Sequence, residues 1–294
     1  MQIGKKFIAV FGDTLDGDVK KDDALDKYEY FTKTFDYHVD KCFFASKLKM
    51  TDFSLLKNGE GKYMTTKIVE IDENKIVIIK SDGSTTYFYQ DIAVAQELNA
   101  STLYLTGFEQ SEHFANLKKL FPQTQHLGLG LVMLDGKKMS SSEGNVIYLQ
   151  EMLDKLLQQF NDIQLVWNIL AGMILKTEPK NIKNIDTAVL QNSKISPGLY
   201  ISYTMAKMNS AGIDLIPATE YVSQELALKS LKSKVSLKPN FLMDAIVNQC
   251  KLINQFYETH FIKDNAVNKK MFQSFTSDLL KATSELGFFP IKKV

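Results

Sequence analysis

The densest chemistry in the sequence lies in Asp135-Gly-Lys-Lys-Met-Ser-Ser-Ser-Glu-Gly-Asn-Val, a polar, glycine-bounded stretch that follows an apolar run. The adjacent ammonium groups of Lys137 and Lys138, the hydroxyls of Ser140, Ser141 and Ser142, and free backbone amides suit a polyphosphate. A solvated lysine turn would carry the same residues. Upstream, Tyr87 and Asp91 stand four residues apart. A carboxylate is the natural partner of a guanidinium, because the two meet through parallel hydrogen bonds, and a tyrosine adds a flat face and a hydroxyl. The plain alternative is a core tyrosine beside a helix N-cap, since Asp91 directly precedes Ile92-Ala-Val-Ala. Gln110 and His113 follow the apolar segment 103–107, and ligands in open α/β sheets bind just past strand ends. The start of a surface helix would place them there equally.

Short apolar runs alternating with helical periodicity supply the scaffold for these groups. Strands are expected over 7–11, 38–45, 85–89, 103–107 and 127–134, with a hairpin from 63–71 and 75–79. Helices are expected over 21–35, 92–98 and 111–120. This interleaving predicts an α/β sheet with crossover helices. Beyond Asn145, segments 151–160, 163–175, 185–191, 199–209, 220–234, 241–259 and 268–286 all carry helical spacing. An α/β half followed by an all-helical half is the expected organisation.

Composition narrows the function classes. The 294 residues suffice for one large domain or two ordinary ones, and 45% hydrophobic with 23% charged residues excludes a disordered or fibrous chain. No apolar run approaches the ~18 residues that cross a bilayer, so no membrane partner is expected. The first residues read as a buried strand rather than a signal peptide, which makes a cytoplasmic location the default. Cys42 and Cys250 lie 208 positions apart and form no CxxC pair, arguing against a disulfide framework or a cysteine zinc site. No metal ligands are expected. A net charge of +1 demands no nucleic acid, so any such binding must come from a local patch. Lys229, Lys232, Lys234 and Lys238, followed by Lys251, are the best candidates, with a solvated helix face as the alternative. All 35 basic residues are lysine, where an even split of the usual charged share would give roughly a dozen or more arginines.

The order of residues from Lys138 resembles the KMSKS signature loop of class I aminoacyl-tRNA synthetases, with Lys138, Met139, Ser140 and Ser142 matching and Ser141 in place of the second lysine. Tyr87 and Asp91 resemble the pair that binds substrate in the arginyl-tRNA synthetase family, and Gln110 and His113 fit that pattern too. Ser196-Pro-Gly-Leu-Tyr and Glu285-Leu-Gly-Phe-Phe-Pro are similar to later segments of the family, with Lys207 where an arginine is usual. The resemblance runs over about residues 61–210.

It implies a Rossmann-like nucleotide-binding domain over 1–150 with its signature loop at 135–146. A helical stem over 151–215 and an anticodon-binding-like helical domain over 216–294 would follow. It implies ATP and Mg2+ as cofactors, arginine and an arginine-accepting tRNA as partners, and arginine–tRNA ligase activity. By resemblance, Tyr87, Asp91 and Gln110 bind arginine. Lys138, with Lys137, acts in catalysis, and Lys138, Met139, Ser140 and Ser142 bind ATP. The HIGH motif of the class is not found: His126-Leu-Gly-Leu lacks its second histidine, sits eleven residues before Lys137 and reads as structural. A second chain supplying that half, or a non-catalytic paralogue that binds arginine, tRNA or a partner, is therefore the alternative expectation.

Overall fold

The computed structural model describes residues 8–11, 41–44, 47–61, 64–138, 149–186, 196–260, 262 and 265–294. They fall into two compact units, 2–129 and 130–294.

In the first unit β1 (Ile8–Phe11) and β2 (Lys41–Phe44) pair in parallel, Ile8 against Lys41 through Phe11 against Phe44. The helix expected over 21–35 lies outside the described residues. β3 (Lys57–Asn58), β4 (Lys67–Ile71) and β5 (Asn74–Ile79) form an antiparallel sheet. The strand expected over 85–89 gives way to a helix. Only Thr85 bridges to Ile79, and Thr86 then caps α1 (Tyr87–Leu98) by accepting a hydrogen bond from the Tyr89 amide. The β-propensity of Tyr-Phe-Tyr is overridden by this cap and by burial of Phe88, Tyr89 and Ile92 with Val69, Ile71 and Ile78.

β6 (Thr102–Gly107) and β7 (Thr124–Leu129) are parallel, in register from Thr102 on Thr124 to Gly107 on Leu129. A 3-10 turn (Phe108–Gln110) and α2 (Ser111–Leu120) connect them, completing a β-α-β crossover. Phe114 and Leu117 carry the buried face of α2 into the same core as α1.

The single strand expected over 127–134 is broken at Gly130. Its amide donates to the Pro179 carbonyl at 2.8 Å, and a Cβ there would stand 2.2 Å from the Asn181 carbonyl oxygen. Only glycine permits so close a backbone approach. In the second unit β8 (Val132–Leu134) is the centre of a three-stranded sheet, antiparallel to β9 (Lys137–Lys138) and parallel to β10 (Lys183–Ile185). Ile185, expected to open a helix, closes β10 instead, and residues 187–191 lie outside the described set.

The rest of this unit is helical: α3 (Leu149–Phe160), α4 (Ile163–Leu175), α5 (Pro197–Ser210), α6 (Gln224–Ser236), α7 (Asn240–Thr259) and α8 (Ala266–Glu285). Side-chain caps start four of them, at Asp162, Ser196, Ser223 and Asn265. Met205, Met208, Leu242, Ile246, Ile253, Phe272 and Leu279 form a core shared by α5, α7 and α8. The fold is thus an α/β unit followed in sequence by a mainly helical one, and among the described residues no helix is long and apolar enough to cross a membrane.

Candidate functional site

The cap at Thr86 makes Tyr87 the first residue of α1 and Asp91 the fifth, which places both on one helix face. Asp91 is therefore not an N-cap, and Tyr87, 57% exposed, is not a core residue. The Asp91 carboxylate is part-buried, with its Oδ2 2.6 Å from Nε2 of His113 on α2. The His113 ring is itself fixed, 4.9 Å edge-on from Phe88 and 4.9 Å from Phe114. Gln110 closes the 3-10 turn after β6 and occupies the N-cap position of α2 without a side-chain cap bond. It lies one turn before His113, so the His113–Asp91 contact brings that end of α2 to the exposed face of α1. The result is a carboxylate, a phenol and a carboxamide near a strand end, a donor and acceptor set that fits a planar cation.

Behind this face, Tyr104 of β6 packs 4.7 Å from Phe114, and its buried hydroxyl has no hydrogen-bond partner among the described residues. Burial, with the Asp91 charge adding, pushes its phenol pKa up, so it stays protonated. His126 faces Tyr104 across the β6–β7 register, shares a 2.9 Å hydrogen bond with Thr106 Oγ1, and stacks on Phe114 at 4.7 Å. Burial pushes its pKa down, His113 adds to that, and Glu109 opposes it. These contacts fit the structural reading of His126. Sequence reasoning missed Tyr104, whose only signal is a tyrosine among the apolar residues of a strand.

The lysine pair belongs to the other unit. Asp135 and Gly136 have φ of 47° and 77°, the left-handed pair of a two-residue type I′ turn, for which Asp-Gly is the favoured sequence. This hairpin sets Lys138 opposite Met133 and Lys137 opposite Leu134. Successive strand residues point to opposite faces, so the two exposed side chains leave the hairpin in different directions. Met139, Ser140 and Ser142 lie outside the described residues.

The basic patch is largely engaged within the chain. Lys232 stands 4.1 Å over the Phe241 ring, Lys234 pairs with Glu285 at 3.0 Å, and Lys238 with Glu178 at 2.7 Å. Among the described residues no group of three or more His, Cys, Asp or Glu side chains could hold a metal ion.

Comparison with known proteins places these residues in context. Residues 46–184 match the family model described as tRNA synthetases class I (R), catalytic domain, a span containing Tyr87, Asp91, Gln110, Lys137 and Lys138. The chain is 28% identical over 219 residues to an arginine–tRNA ligase of Lactobacillus acidophilus, covering 62% of this chain and 38% of that protein. It is 26% identical over 290 residues to an arginine–tRNA ligase of Clostridium kluyveri, covering 84% of this chain and 50% of that protein. The chain thus spans half or less of the length of these curated relatives. Two solved structures share its fold over 93% of its length. The arginyl-tRNA synthetase of Thermus thermophilus does so with a TM-score of 0.65, 14% identity and 63% of that chain covered. That of Plasmodium falciparum does so with a TM-score of 0.64, 20% identity and 57% covered.

Proposed function

From the match of residues 46–184 to the class I arginyl-tRNA synthetase catalytic domain, we propose that the chain is a member of that family and binds arginine and ATP as an arginine–tRNA ligase-like protein. The observation that carries this reading is the Asp91 carboxylate, held at Oδ2 by His113 and left at Oδ1 to a guanidinium. Tyr87 would lie against the guanidinium plane and Gln110 would orient the amino acid. The arginine carboxylate would attack the α-phosphorus of ATP, releasing pyrophosphate and forming arginyl-adenylate. A tRNA 3′-terminal hydroxyl would then take the arginyl group and release AMP. Lys138, with Lys137, would neutralise charge gathering on the departing pyrophosphate, and Met139, Ser140 and Ser142 would line the nucleotide. Mg2+ would travel with the ATP phosphates, which supply their own oxygen donors, so no donor set from the chain is required. The domain of 1–150, the stem over 151–215, the anticodon-binding-like role of 216–294 and a cytoplasmic location belong to the same proposal.

A second reading is favoured by His126. The HIGH look-alike in the sequence has its ring held by Thr106 and Phe114, contacts that suit a structural histidine. On that reading the chain binds arginine or tRNA without activating the amino acid, or a second chain supplies the histidines. Arginine-dependent exchange of pyrophosphate into ATP tests the first reading. Calorimetric binding of arginine without exchange would select the second.

A further inference from the structure

The hairpin that presents the lysine pair is clasped by a residue outside the signature stretch. We propose that Asn184 is a positioning residue for Lys137 and Lys138. Its Oδ1 accepts a 2.7 Å hydrogen bond from the Gly136 amide, at the tip of the type I′ turn. In such a turn the amide of the second central residue has no partner inside the hairpin, so it is normally left to water. Here a side chain from a third strand takes it. Two further contacts brace the same turn: the Asp135 amide donates to the Ile185 carbonyl at 2.9 Å, and β10 runs in parallel register with β8, Asn184 opposite Met133.

Residue 184 is well suited to this work. Neighbouring Lys183 and Ile185 are buried and anchor β10, while Asn184 is exposed and bears no packing load. Lys183 holds its ammonium on the carbonyls of Pro179, at 2.6 Å, and Asn181, at 3.1 Å. The segment it ties down is the one that Gly130 approaches at the start of β8. The lysine hairpin is therefore fastened at its tip by Asn184 and at its root by the 179–183 segment. An ammonium must be in place before charge develops on a leaving group, so losing the tip contact should reduce turnover rather than amino-acid binding.

This assignment rests on the reading of Lys137 and Lys138 as phosphate-binding, and the experiment separates the two. Asn184→Ala removes the acceptor, and Asn184→Asp keeps an oxygen at the same reach. Digestion by a lysine-specific protease reports opening of the hairpin directly. Cleavage after Lys137 and Lys138 should be roughly threefold to tenfold faster in Asn184→Ala, the scale of one neutral hydrogen bond, and should return to the parent rate in Asn184→Asp. Equal rates in the parent and Asn184→Ala would overturn the clasp, whether or not the chain is active. In arginine-dependent pyrophosphate exchange, Asn184→Ala should lower kcat with KM for arginine unchanged. If the parent exchanges and Asn184→Ala matches it, the positioning role fails. If the parent neither exchanges nor has its hairpin protected from cleavage by ATP with Mg2+, the phosphate-binding reading and the positioning role both fall. The digestion then still decides the clasp.

Discussion

His113 Nε2 and Asp91 Oδ2, 2.6 Å apart, join α1 to α2, the helix that follows β6. A carboxylate fixed at one oxygen presents the other in a set direction, so less ordering remains to be done when a guanidinium arrives. Asp91→Asn should weaken arginine binding by about 1.5–3 kcal/mol, the worth of a hydrogen bond to a charged group. Lysine should compete poorly, since an ammonium cannot make the planar two-bond contact. Calorimetry with both amino acids, on parent and variant, checks this; equal affinity of the parent for arginine and lysine would end the assignment.

The opposite orientations of Lys137 and Lys138 make their variants unequal. Lys138→Ala should reduce the exchange rate by about 10²–10³ with little change in arginine affinity, because the charge it meets grows only in the transition state. Lys137→Ala should cost far less, since its side chain leaves the other face of the hairpin. Steady-state kinetics of both variants decide. Equal losses would mean that the hairpin rearranges when nucleotide binds.

The legible parts of this molecule were those set by local pattern. Helical spacing marked out α2, α4 and α7 closely, and the family resemblance singled out Tyr87, Asp91 and Gln110 as candidates. The contacts that relate them were not legible, because they cross between elements. That Thr86 rather than Asp91 starts α1 depends on a hydroxyl 3.4 Å from the Tyr89 amide and on which face of the helix meets β5. That one apolar run splits into β7 and β8 depends on Gly130 touching residues 179–181, fifty positions away. Asn184 carried no signal at all: a single asparagine in a polar stretch becomes informative only once β10 is laid beside β8.

Helices α4 and α5 meet at two glycines, and the unit should be correspondingly intolerant there. A Cβ on Gly198 would lie 1.9 Å from the Asn168 carbonyl oxygen, and one on Gly172 would lie 2.4 Å from the Gly198 nitrogen. Both obstacles are backbone atoms, which cannot turn aside as a side chain would. Gly198→Ala should therefore destabilise by about 1–3 kcal/mol or more through overpacking, read as a lower denaturant midpoint. An unchanged midpoint would show that the helices can separate freely.

The lysines around α6 make a modest prediction for tRNA. With Lys232, Lys234 and Lys238 already engaged with Phe241, Glu285 and Glu178, few of these charges are available to phosphates. Each phosphate contact contributes roughly 0.7–0.9 log units of affinity per log unit of salt. A slope of no more than two such contacts is expected for tRNA binding through this face, and Lys229→Ala or Lys251→Ala should each lower it by one. A slope of five or more would place the tRNA elsewhere on the chain.

The complete absence of arginine bears on supply. A protein that charges tRNA with arginine is ordinarily translated with that product, so its synthesis falls when the product runs short. These 294 residues contain 35 lysines and no arginine, and so escape that dependence. Lys207, where the family resemblance leads one to expect an arginine, sits at a site whose shape suits the larger cation. Its ammonium sits 5.0 Å from the Tyr203 ring, 5.5 Å from the Tyr257 ring and 3.5 Å from Glu258, a stacked and acidic setting in which a guanidinium would make fuller contact. Glu258 is solvent-exposed, so Lys207→Arg should be neutral to slightly stabilising, within about 1 kcal/mol, by thermal melting. A clear loss of stability would show that lysine is the better residue there on structural grounds. In extracts depleted of arginine, synthesis of this chain should continue while arginine-containing controls stall. The arginine content of other proteins from the same genome then separates cause from coincidence. A normal share there would tie the absence to this chain's own function, and a near-total lack would make it a property of the genome.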